Sequence, residues 1–470
     1  MGVSFEDLPA AQEPVYDTPM PNVPIRLYTG NIELVQGVRT CAGTGEVRME
    51  WPPRPSIVVD FSLEDNSQLP EIGPAQLAIP ELEVRAEVRV DGLTLSGGER
   101  ASPPCVTCSI HKAVSVGEGE TLSYLLFHVP NFHGYPGLPT RQGEWATASR
   151  AVLEAAGWRV VLDHIRRPAR TFMDRLKSSR GHAITHIGRL ERASGGTFSS
   201  DDTRDVMMAL SYFLSFCRGN WVAPLLSVGF DSSGEGVWKQ WGPARAERWA
   251  GVRSWFSEFS LECLTEPFAG FAGRWSDPNW REPLRLAIHW YIGSNLCSGG
   301  VEGALILAQV GFELISWALL VVQRPKLTKR TFRRKSAAEK LRLLLRECGI
   351  GLEIPESLDA LRKTTRNAGP NDGPAAITRV RNAIVHPEPT GPKAEVQQNV
   401  LVRYEAWRLA LWYLELVILS ILGYKGKYSS RVSTAQWRGD EVELVPWSQR
   451  QETCGQTREG AADTPGSINT

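Results

Sequence analysis

The sequence predicts an α+β protein of several domains, in which a β-rich N-terminal sandwich or barrel precedes an all-α helical bundle. Two patterns carry this prediction. Before residue 205, short β-branched runs recur between Gly and Pro clusters, and residues 84–90 alternate apolar and charged side chains, as in a strand with one solvated face. After residue 279, apolar residues continue over stretches long enough for helices. A chain of 470 residues is also long for one domain.

Composition divides the chain into four parts. Residues 1–205 form the predicted β-rich domain. Residues 206–278 are dense in tryptophan and are expected to form a helical connector, either packed at a domain interface or stacked on nucleic-acid bases. Residues 279–430 form the predicted bundle. Residues 431–470 are rich in Gly, Ser, Thr and Gln and are expected to be disordered.

Prolines and capping residues place the expected helices. Pro278 and Pro374 suit the first turn of a helix, and Pro387 ends the helix before it. Two helices are expected in the β-rich part, at Thr147–Ala156 and Pro168–Lys177. The bundle is expected to contain Arg281–Leu296, Val301–Val322, Ala337–Glu347, Glu356–Lys363, Pro374–His386 and Ala394–Leu422.

Charge and hydropathy point to a cytoplasmic protein. The 52 Lys and Arg residues balance 52 Asp and Glu residues, so any anion-binding site must be a local patch. The segment Met1–Pro9 lacks the basic start and apolar run of a secretory signal. Residues 304–322 and 409–424 are long and apolar, but each contains a carboxylate, Glu313 or Glu415, that is costly in lipid. We expect buried helices there, and no membrane partner.

The cysteines raise the question of a metal site. Eight scattered cysteines in a long chain do not resemble the disulfide framework of a small secreted protein. Cys105, Cys108 and His111 have ligand-like spacing, but a structural zinc site takes four ligands, and only Cys41 or His128 would complete it. Reduced thiols are the simpler interpretation, and we expect neither a metal nor another cofactor.

The segment of the predicted bundle with the most groups suited to catalysis is residues 379–387, with the sequence RVRNAIVHP. Asn382 and His386 are four residues apart, so a helix places them on one face, and the long side chain of Arg381 reaches over from the side. The helix is expected to end at His386, because a residue before proline is disfavoured in the helical region. A helix C-terminus favours a protonated imidazole. A proton donor therefore lies beside a guanidinium, with an amide to orient one of them.

These groups suit the cleavage of RNA, in which a 2′-hydroxyl attacks the neighbouring phosphate. His386 would move the protons, and Arg381 would stabilise the phosphorane through forked hydrogen bonds, without a metal. The spacing alone is weak evidence, since Arg159–His164 repeats it and Arg180–His186 is longer by only one residue. The first of these is expected to be a strand and the second contains a glycine, whereas residues 381–386 lie late in a helical bundle. The alternative is a helix end capped by its own basic residues.

The segment resembles the ribonuclease motif of the HEPN superfamily, an Arg followed by four to six residues and a His, often with Asn, Asp or His directly after the Arg. Residues 280–430 resemble a HEPN domain, with two long apolar helices before the motif. Residues 422–428 are similar to the end of HEPN domains in bacterial ApeA-like proteins, which also place a β-rich domain first. The resemblance implies a metal-independent endoribonuclease, a homodimer that joins two motifs, and a role in anti-phage defence, abortive infection or a toxin-like system.

Two further groups of residues are expected to support this site. Glu313 lies in an apolar helix and needs a partner, so it either orients Arg381 or His386 or pairs with another basic residue. Arg379 precedes the motif on the same helix. A basic connector is expected either to bind the RNA backbone or to be a solvated loop. Its residues are Lys329, Arg330, Arg333, Arg334 and Lys335.

Two other functions stay open on the sequence. A HEPN bundle without turnover would bind a nucleotide, RNA or a protein partner, and a dimer scaffold would leave the function to an N-terminal domain with its own trigger. The surroundings of His386 discriminate between these functions. Catalysis needs His386 to face a cleft together with Arg381 and Asn382, whereas burial of His386, or a bond only to a local carbonyl, favours a binding module.

Overall fold

The structure is a computed structural model that describes residues 4–65, 69–95, 103–167, 170–365, 371–437 and 439–448. The chain forms two compact units, Met1–Gly251 and Val252–Thr470. The first unit contains nearly all of the strands and the second is mainly helical. The α+β, multidomain organisation expected from the sequence is therefore confirmed.

The first unit opens with a closed barrel of six antiparallel strands. Residues 84–90 show why the chain forms it: the four apolar side chains are buried and the three charged ones between them are exposed, as the alternation predicts. Trp51 and Phe61 are buried in the same core. The strands are β1 (Ile25–Gln36), β2 (Arg39–Glu50), β3 (Ser56–Leu63), β4 (Gly73–Ile79), β5 (Val84–Thr94) and β6 (Cys105–Ile110), with a 3₁₀ turn at Pro80–Leu82. Their order around the barrel is β1-β2-β3-β6-β5-β4.

An eight-stranded sheet follows the barrel. Its strands are β7 (Val114–Gly117), β8 (Tyr124–Pro130), β9 (Leu138–Gln142), β10 (Trp145–Ala155), β11 (Trp158–His164), β12 (Ile184–Arg192), β13 (Leu225–Phe230) and β14 (Gly236–Trp241). Their order is β7-β14-β13-β8-β12-β11-β10-β9. Two helices belong to the same unit, α1 (Arg170–Ser179) and α2 (Arg204–Arg218), and a 3₁₀ turn at Asp201–Thr203 precedes α2.

Two expectations for this unit were wrong. The helix expected at Thr147–Ala156 is strand β10, because Ser149, Ala151 and Leu153 are buried in alternation while the strand pairs with both neighbours. The segment 206–278, expected to be helical, contains the hairpin β13–β14, which lies between β8 and β7 in the sheet. The unit therefore extends to Gly251 rather than ending at residue 205.

The second unit is a bundle of nine helices within the described residues. They are α3 (Glu262–Ser276), α4 (Pro278–Asn295), α5 (Gly300–Trp317), α6 (Lys329–Arg334), α7 (Ala337–Glu347), α8 (Asp359–Thr365), α9 (Gly373–Val385), α10 (Pro392–Gln398) and α11 (Val400–Ile421). A π-helical turn, Ala318–Gln323, continues α5. The helix expected at Ala394–Leu422 is divided in two, because Asn399 has an extended backbone and its side chain accepts a hydrogen bond from the Val402 amide as the cap of α11.

The tail expected to be disordered from residue 431 is instead folded as far as the structure describes it. Arg431 is buried, and the strand β15 (Lys427–Ser429) pairs with β16 (Val442–Leu444). The composition of the segment does not reveal that it is folded, because it contains few apolar residues and Arg431 finds its partner in helix α11 of the bundle. Residues 449–470, the rest of the expected tail, lie outside the described residues.

The helix Gly300–Gln323 is long and apolar enough to cross a membrane by length and composition. In the described structure 56% of its most apolar window is buried inside the unit. Ala304, Ala308 and Phe312 point into the core. The helix therefore serves here as a core element of the bundle, as the sequence predicts.

A buried ion pair joins the tail to the bundle. Glu415 is fully buried in α11, and its carboxylate accepts hydrogen bonds from the Tyr291 hydroxyl at 2.6 Å and from Arg431 Nε at 2.8 Å. Arg431 also donates to Asn295 Oδ1 at 2.7 Å. Burial works against the charge of Arg431, but Glu415 outweighs it and raises the pKa of the guanidinium above its usual value. Each charge in this core thus has a partner.

Most histidines of the first unit are buried or half-buried, among them His128, His164, His182 and His186. His128 Nε2 accepts the Tyr16 amide at 3.1 Å, so Nδ1 carries the proton that it donates to the Leu226 carbonyl. Burial lowers the pKa of His128 to about 4. Burial also lowers the pKa of His164, His182 and His186. The fold therefore requires neutral imidazoles at these positions.

Acid should destabilise the first unit through His128. Above pH 6.5 both the folded and the unfolded states hold a neutral imidazole, but below it only the unfolded state gains a proton, so stability falls with pH down to about 4. We expect His128→Gln to reduce the loss of unfolding free energy between pH 7.5 and pH 5 by about 2 kcal/mol. Urea unfolding followed by hydrogen exchange in β8 and β13 measures this loss. Equal losses in the two proteins would contradict the assignment.

Removing Arg431 should destabilise the second unit strongly, because Glu415 is then left buried without a counter-charge. We expect Arg431→Leu to lower the unfolding free energy by about 3–5 kcal/mol, measured by chemical denaturation. Arg334→Leu, at an exposed arginine of α6, is the control and should change it by less than about 1 kcal/mol. The double variant Glu415→Leu/Arg431→Leu should recover part of the loss. Strict additivity of the two single changes would show that the ion pair is not coupled.

Candidate functional site

The candidate site lies on α9, which is fixed at its N-terminus. The Asp372 side chain caps the helix by accepting the Ala375 amide and also binds Arg342 of α7 at 2.5 Å. Gly373 lies against Tyr413 of α11, since a Cβ at this position would be 2.2 Å from the tyrosine hydroxyl. The helix therefore begins beside the second half of α11 and cannot carry a side chain at its first residue without displacing Tyr413.

The same helix ends where the sequence predicts. The His386 amide donates to the Asn382 carbonyl at 2.9 Å, and the backbone of His386 then leaves the helical region. Ala376, Val380 and Ala383 are buried and hold the helix in the bundle. The chain then returns through α10 to Asn399 at the start of α11. The histidine therefore lies at the end of the bundle at which α11 begins.

The predicted residues share one solvated side of α9. Arg379, Asn382 and His386 are separated by three and four residues and so lie on one face. Arg379 and Asn382 are half-buried, and His386 is exposed. Arg381 is half-buried beside them, and its Nη1 donates to Asn382 Oδ1 at 2.9 Å. The amide therefore orients the guanidinium, one of the two arrangements that the sequence allows.

Arg381 has unused hydrogen-bonding capacity. Its Nε atom is buried and has no hydrogen-bond partner among the described residues. A guanidinium donates up to five hydrogen bonds, and buried donors of this kind are nearly always satisfied. Because Asn382 holds Arg381 through Nη1 alone, the guanidinium is already oriented yet has donors free for an anionic ligand.

Glu313 is not brought to this site. Its carboxylate accepts hydrogen bonds from Lys340 Nζ of α7 at 2.9 and 3.2 Å. Lys340 in turn lies over the ring of Phe332, 4.5 Å from its centroid. Of the two interpretations of Glu313, the structure therefore supports the pairing with another basic residue rather than a direct contact with Arg381 or His386.

The basic segment is a short helix rather than a loop. Phe332 of α6 is buried and packs edge-on against Trp317 at the C-terminal end of α5, with ring centroids 5.3 Å apart. Four of the five predicted RNA-binding residues, Lys329, Arg330, Arg333 and Arg334, are exposed. Lys335 is half-buried, 3.8 Å from Glu339. Within the described residues, no hydrogen bond or ion pair joins this segment to Arg381 or His386.

Exposed apolar side chains lie at the end of α9 and at the start of α11, and the sequence reasoning missed them. Val385 precedes the histidine, and Val400, Leu401 and Tyr404 lie in the first turns of α11; all four are exposed. On the sequence they look like ordinary members of apolar helices. Only the position of Asn399 as a helix cap, which starts a new helix at the surface, would have indicated their exposure.

The other Arg–His pairs and the Cys–His pattern that the sequence offers do not lie at the end of a helix in the bundle. His164 and His186 face each other across paired strands β11 and β12, with ring centroids 4.9 Å apart, so neither lies on a helix. Cys105 and Cys108 are three residues apart on strand β6, which puts their side chains on opposite faces. Burial raises the pKa of Cys108 to about 12. In the part of the chain that the structure describes, no group of three His, Cys, Asp or Glu side chains is arranged to hold a metal ion.

Both units have matches among known protein families. Residues 277–443 match the family model of the YopA C-terminal domain, and residues 117–252 match that of the YopA central domain. The chain is 27% identical over 439 residues to the SPbeta prophage-derived uncharacterized protein YopA of Bacillus subtilis (strain 168). That alignment covers 91% of this chain and 96% of the relative. This chain is similar to YopA over nearly its whole length. No solved structure matches it significantly.

The YopA matches agree with the structural division. The central-domain match ends at residue 252, where the first compact unit ends at Gly251. The C-terminal match begins at residue 277, includes the whole of α9 and ends within β16. The match therefore includes α4 to α11, Arg431, β15 and the first two residues of β16. Neither matched family carries the HEPN name, so the HEPN resemblance stays a prediction.

Proposed function

We propose that the C-terminal bundle is a metal-independent endoribonuclease of the HEPN type, with Arg381, Asn382 and His386 as its catalytic residues. The observation that carries this proposal is the arrangement at the end of α9. There an exposed His386 shares a helix face with Asn382, and Asn382 holds an arginine with an unused buried donor. Neither a buried histidine nor one bonded only to a local carbonyl, the arrangements expected of an inert module, is present at this position.

The residues divide the reaction between them. The RNA 2′-oxygen attacks phosphorus and the 5′-oxygen leaves, so a proton must come off the first and reach the second. An imidazole is suited to both transfers. The guanidinium of Arg381 stabilises the charge that develops on the non-bridging oxygens. Since Asn382 already orients it, little reorganisation is needed as the phosphorane forms.

A homodimer is part of the proposal. One imidazole cannot hold both proton positions in a single step, so two copies of the site placed together would supply a base and an acid. Exposed apolar side chains support this pairing, because Val385 at the end of α9 and Val400 and Leu401 at the start of α11 lie at the same end of the bundle. A second copy of this chain would cover them.

The basic helix α6 would hold the RNA backbone. Its four exposed cations follow the C-terminal end of α5, whereas Glu302 near the start of α5 pairs with Arg403 near the start of α11, at the end where His386 lies. An 18-residue helix such as α5 is about 27 Å long. An RNA that contacts both places must therefore span several nucleotides along the bundle.

The biological role is proposed from the resemblance. A cytoplasmic ribonuclease whose β-rich unit receives a trigger would serve in abortive infection or a toxin-like system. The relative in Bacillus subtilis is prophage-derived by its name, and a prophage gains when its host blocks a competing phage. In this scheme the first unit keeps the nuclease latent until the trigger arrives.

Replacing the catalytic histidine should abolish toxicity. The protein is expressed from an inducible promoter with and without phage challenge. We expect the wild type to arrest growth and fragment total RNA in at least one of these two conditions, and His386→Ala to do so in neither. His111→Ala, at an exposed histidine beside the barrel, is the matched control and should act as wild type. Intact RNA with wild-type protein under both conditions, or equal fragmentation with His386→Ala, would reject the nuclease.

Neutralising α6 should weaken RNA binding in a salt-dependent way. In a His386→Ala background, which preserves the RNA, we expect Arg333→Ala/Arg334→Ala to reduce the slope of log affinity against log salt by about 1.4 for a single-stranded 20-mer. Arg85→Ala/Arg89→Ala, two exposed arginines of the barrel, should leave the slope unchanged. Fluorescence anisotropy measures both. An unchanged slope in the α6 variant would show that this helix does not contact the backbone.

A further inference from the structure

The first unit contains a cavity of about 330 Å³ that the nuclease proposal does not use. It lies between the sheet face formed by β7, β14 and β13 and the first turn of α2. The volume is at the lower end of the range for small-molecule sites. Its polar lining includes Ser115, Ser200, Ser227 and Gln240, and Met207 and Trp238 supply apolar surface.

Strand register brings three of these side chains into one row. Gln240 of β14 pairs with Ser115 of β7. On the other side, Val228 pairs with Lys239, and this antiparallel register continues to set Ser227 of β13 opposite Gln240. Because opposed residues project to the same face of a sheet, an amide lies between two hydroxyls across three neighbouring strands.

A strained bulge positions Ser227. The register of β13 against β8 shifts between Leu225 and Val228, and Leu226 inside the shift has φ of 49°. A leucine is disfavoured in this left-handed region, since only residues such as glycine adopt it readily. Bulges of this kind redirect a side chain, and such strain persists where the surroundings enforce it.

Two polar groups in the cavity wall have no protein partner. Ser227 is 5% exposed and Trp238 is 3% exposed. Across the described residues, neither the Ser227 hydroxyl nor the Trp238 indole N–H has a hydrogen-bond partner, and both side chains line the cavity. Ser115 and Gln240 beside them are exposed, so the cavity opens to solvent. All four polar groups are therefore available to a ligand that enters from solvent.

The charges at the cavity fix the class of that ligand. Asp201 and Arg204 are the charged residues of the lining, and they are exposed and paired with each other at 2.7 Å. The remaining polar groups are an amide, hydroxyls and an indole N–H. Such a set suits a neutral molecule with donors and acceptors along one edge. Glutamine in particular matches the edge of a base, because its amide both donates and accepts.

We propose that this cavity binds a nucleoside or its free base. Gln240 pairs with the base edge, Ser115 and Ser227 bond to its flanking groups, and the Trp238 indole donates to a ring nitrogen or carbonyl. A monosaccharide fits the lining less well, since the one carboxylate of the lining, Asp201, is already paired with Arg204 and is not free to accept sugar hydroxyls. The site gives the β-rich unit a ligand of its own, in a unit separate from α9.

Calorimetry on the full-length protein tests the proposal with adenosine, guanosine, cytidine and uridine, their free bases, and glucose. We expect saturable binding of at least one nucleoside or base, and none of glucose. Gln240→Leu, which keeps the side-chain size and removes the amide, should weaken binding by at least tenfold. Ser227→Ala should weaken it by about fivefold, the value of one net hydrogen bond. Gln76→Leu, at an exposed glutamine of the barrel, is the control and should bind as wild type.

Three results would overturn the proposal. They are no binding of any nucleoside or base at millimolar concentration, binding that Gln240→Leu and Ser227→Ala leave unchanged, and binding of glucose alone. Circular dichroism and thermal unfolding establish that each variant is folded. If Gln240→Leu does not fold, Ser227→Ala still tests the proposal, because it removes only a hydroxyl. Calorimetry measures ligand binding and not RNA cleavage, so its outcome is separate from that of the His386 variants.

Discussion

The buried contact between Glu415 and Arg431 constrains the whole second unit. A carboxylate with no solvent exposure is tolerated only with a counter-charge and further hydrogen bonds, and Arg431 and Tyr291 supply them. Asn295 accepts a further hydrogen bond from Arg431. The pair therefore fixes α4, α11 and the tail around one point. Because α11 carries Tyr413, which meets the start of α9, the same contact also sets where the candidate site begins.

From that point the geometry of the site follows in order. Asp372 starts α9 beside α7 and α11, Pro387 follows its end, and the thirteen residues between place His386 at the surface where α11 begins. The buried face of α9 leaves Asn382 and Arg381 free to bind each other rather than the core. An oriented guanidinium and an exposed imidazole are thus consequences of how the helix is anchored, and they are the two groups that transesterification of RNA requires.

The sequence predicts local features well where one force dominates. The alternation in residues 84–90 predicts β5, and Pro374 and Pro387 predict the ends of α9; both elements are observed. Strand β10 was mistaken for a helix because its apolar residues are small and interleaved with Thr and Ser, so its alternation is weak. The hairpin β13–β14 owes its structure to neighbours distant in sequence, which no local pattern records.

The partners of the carboxylates in apolar helices were the least predictable part. Glu313 and Glu415 look alike in sequence, yet one pairs with Lys340 and the other with Arg431 from the tail. The choice depends on which helices pack together, and so does the orientation of Arg381 by Asn382. Helical spacing put Arg381, Asn382 and His386 near one another, but the unused donor of Arg381 and the apolar rim around the site appear only in three dimensions.

The chemical identity of the RNA ends tests the central claim most directly. Purified protein is incubated with a defined RNA in the presence of a strong metal chelator, and the fragments are analysed by mass spectrometry. Attack by the 2′-hydroxyl predicts fragments with a 2′,3′-cyclic phosphate and a 5′-hydroxyl, and no cleavage where the 2′-oxygen is methylated. Cleavage that stops with the chelator and leaves a 5′-phosphate would contradict the mechanism assigned to Arg381 and His386.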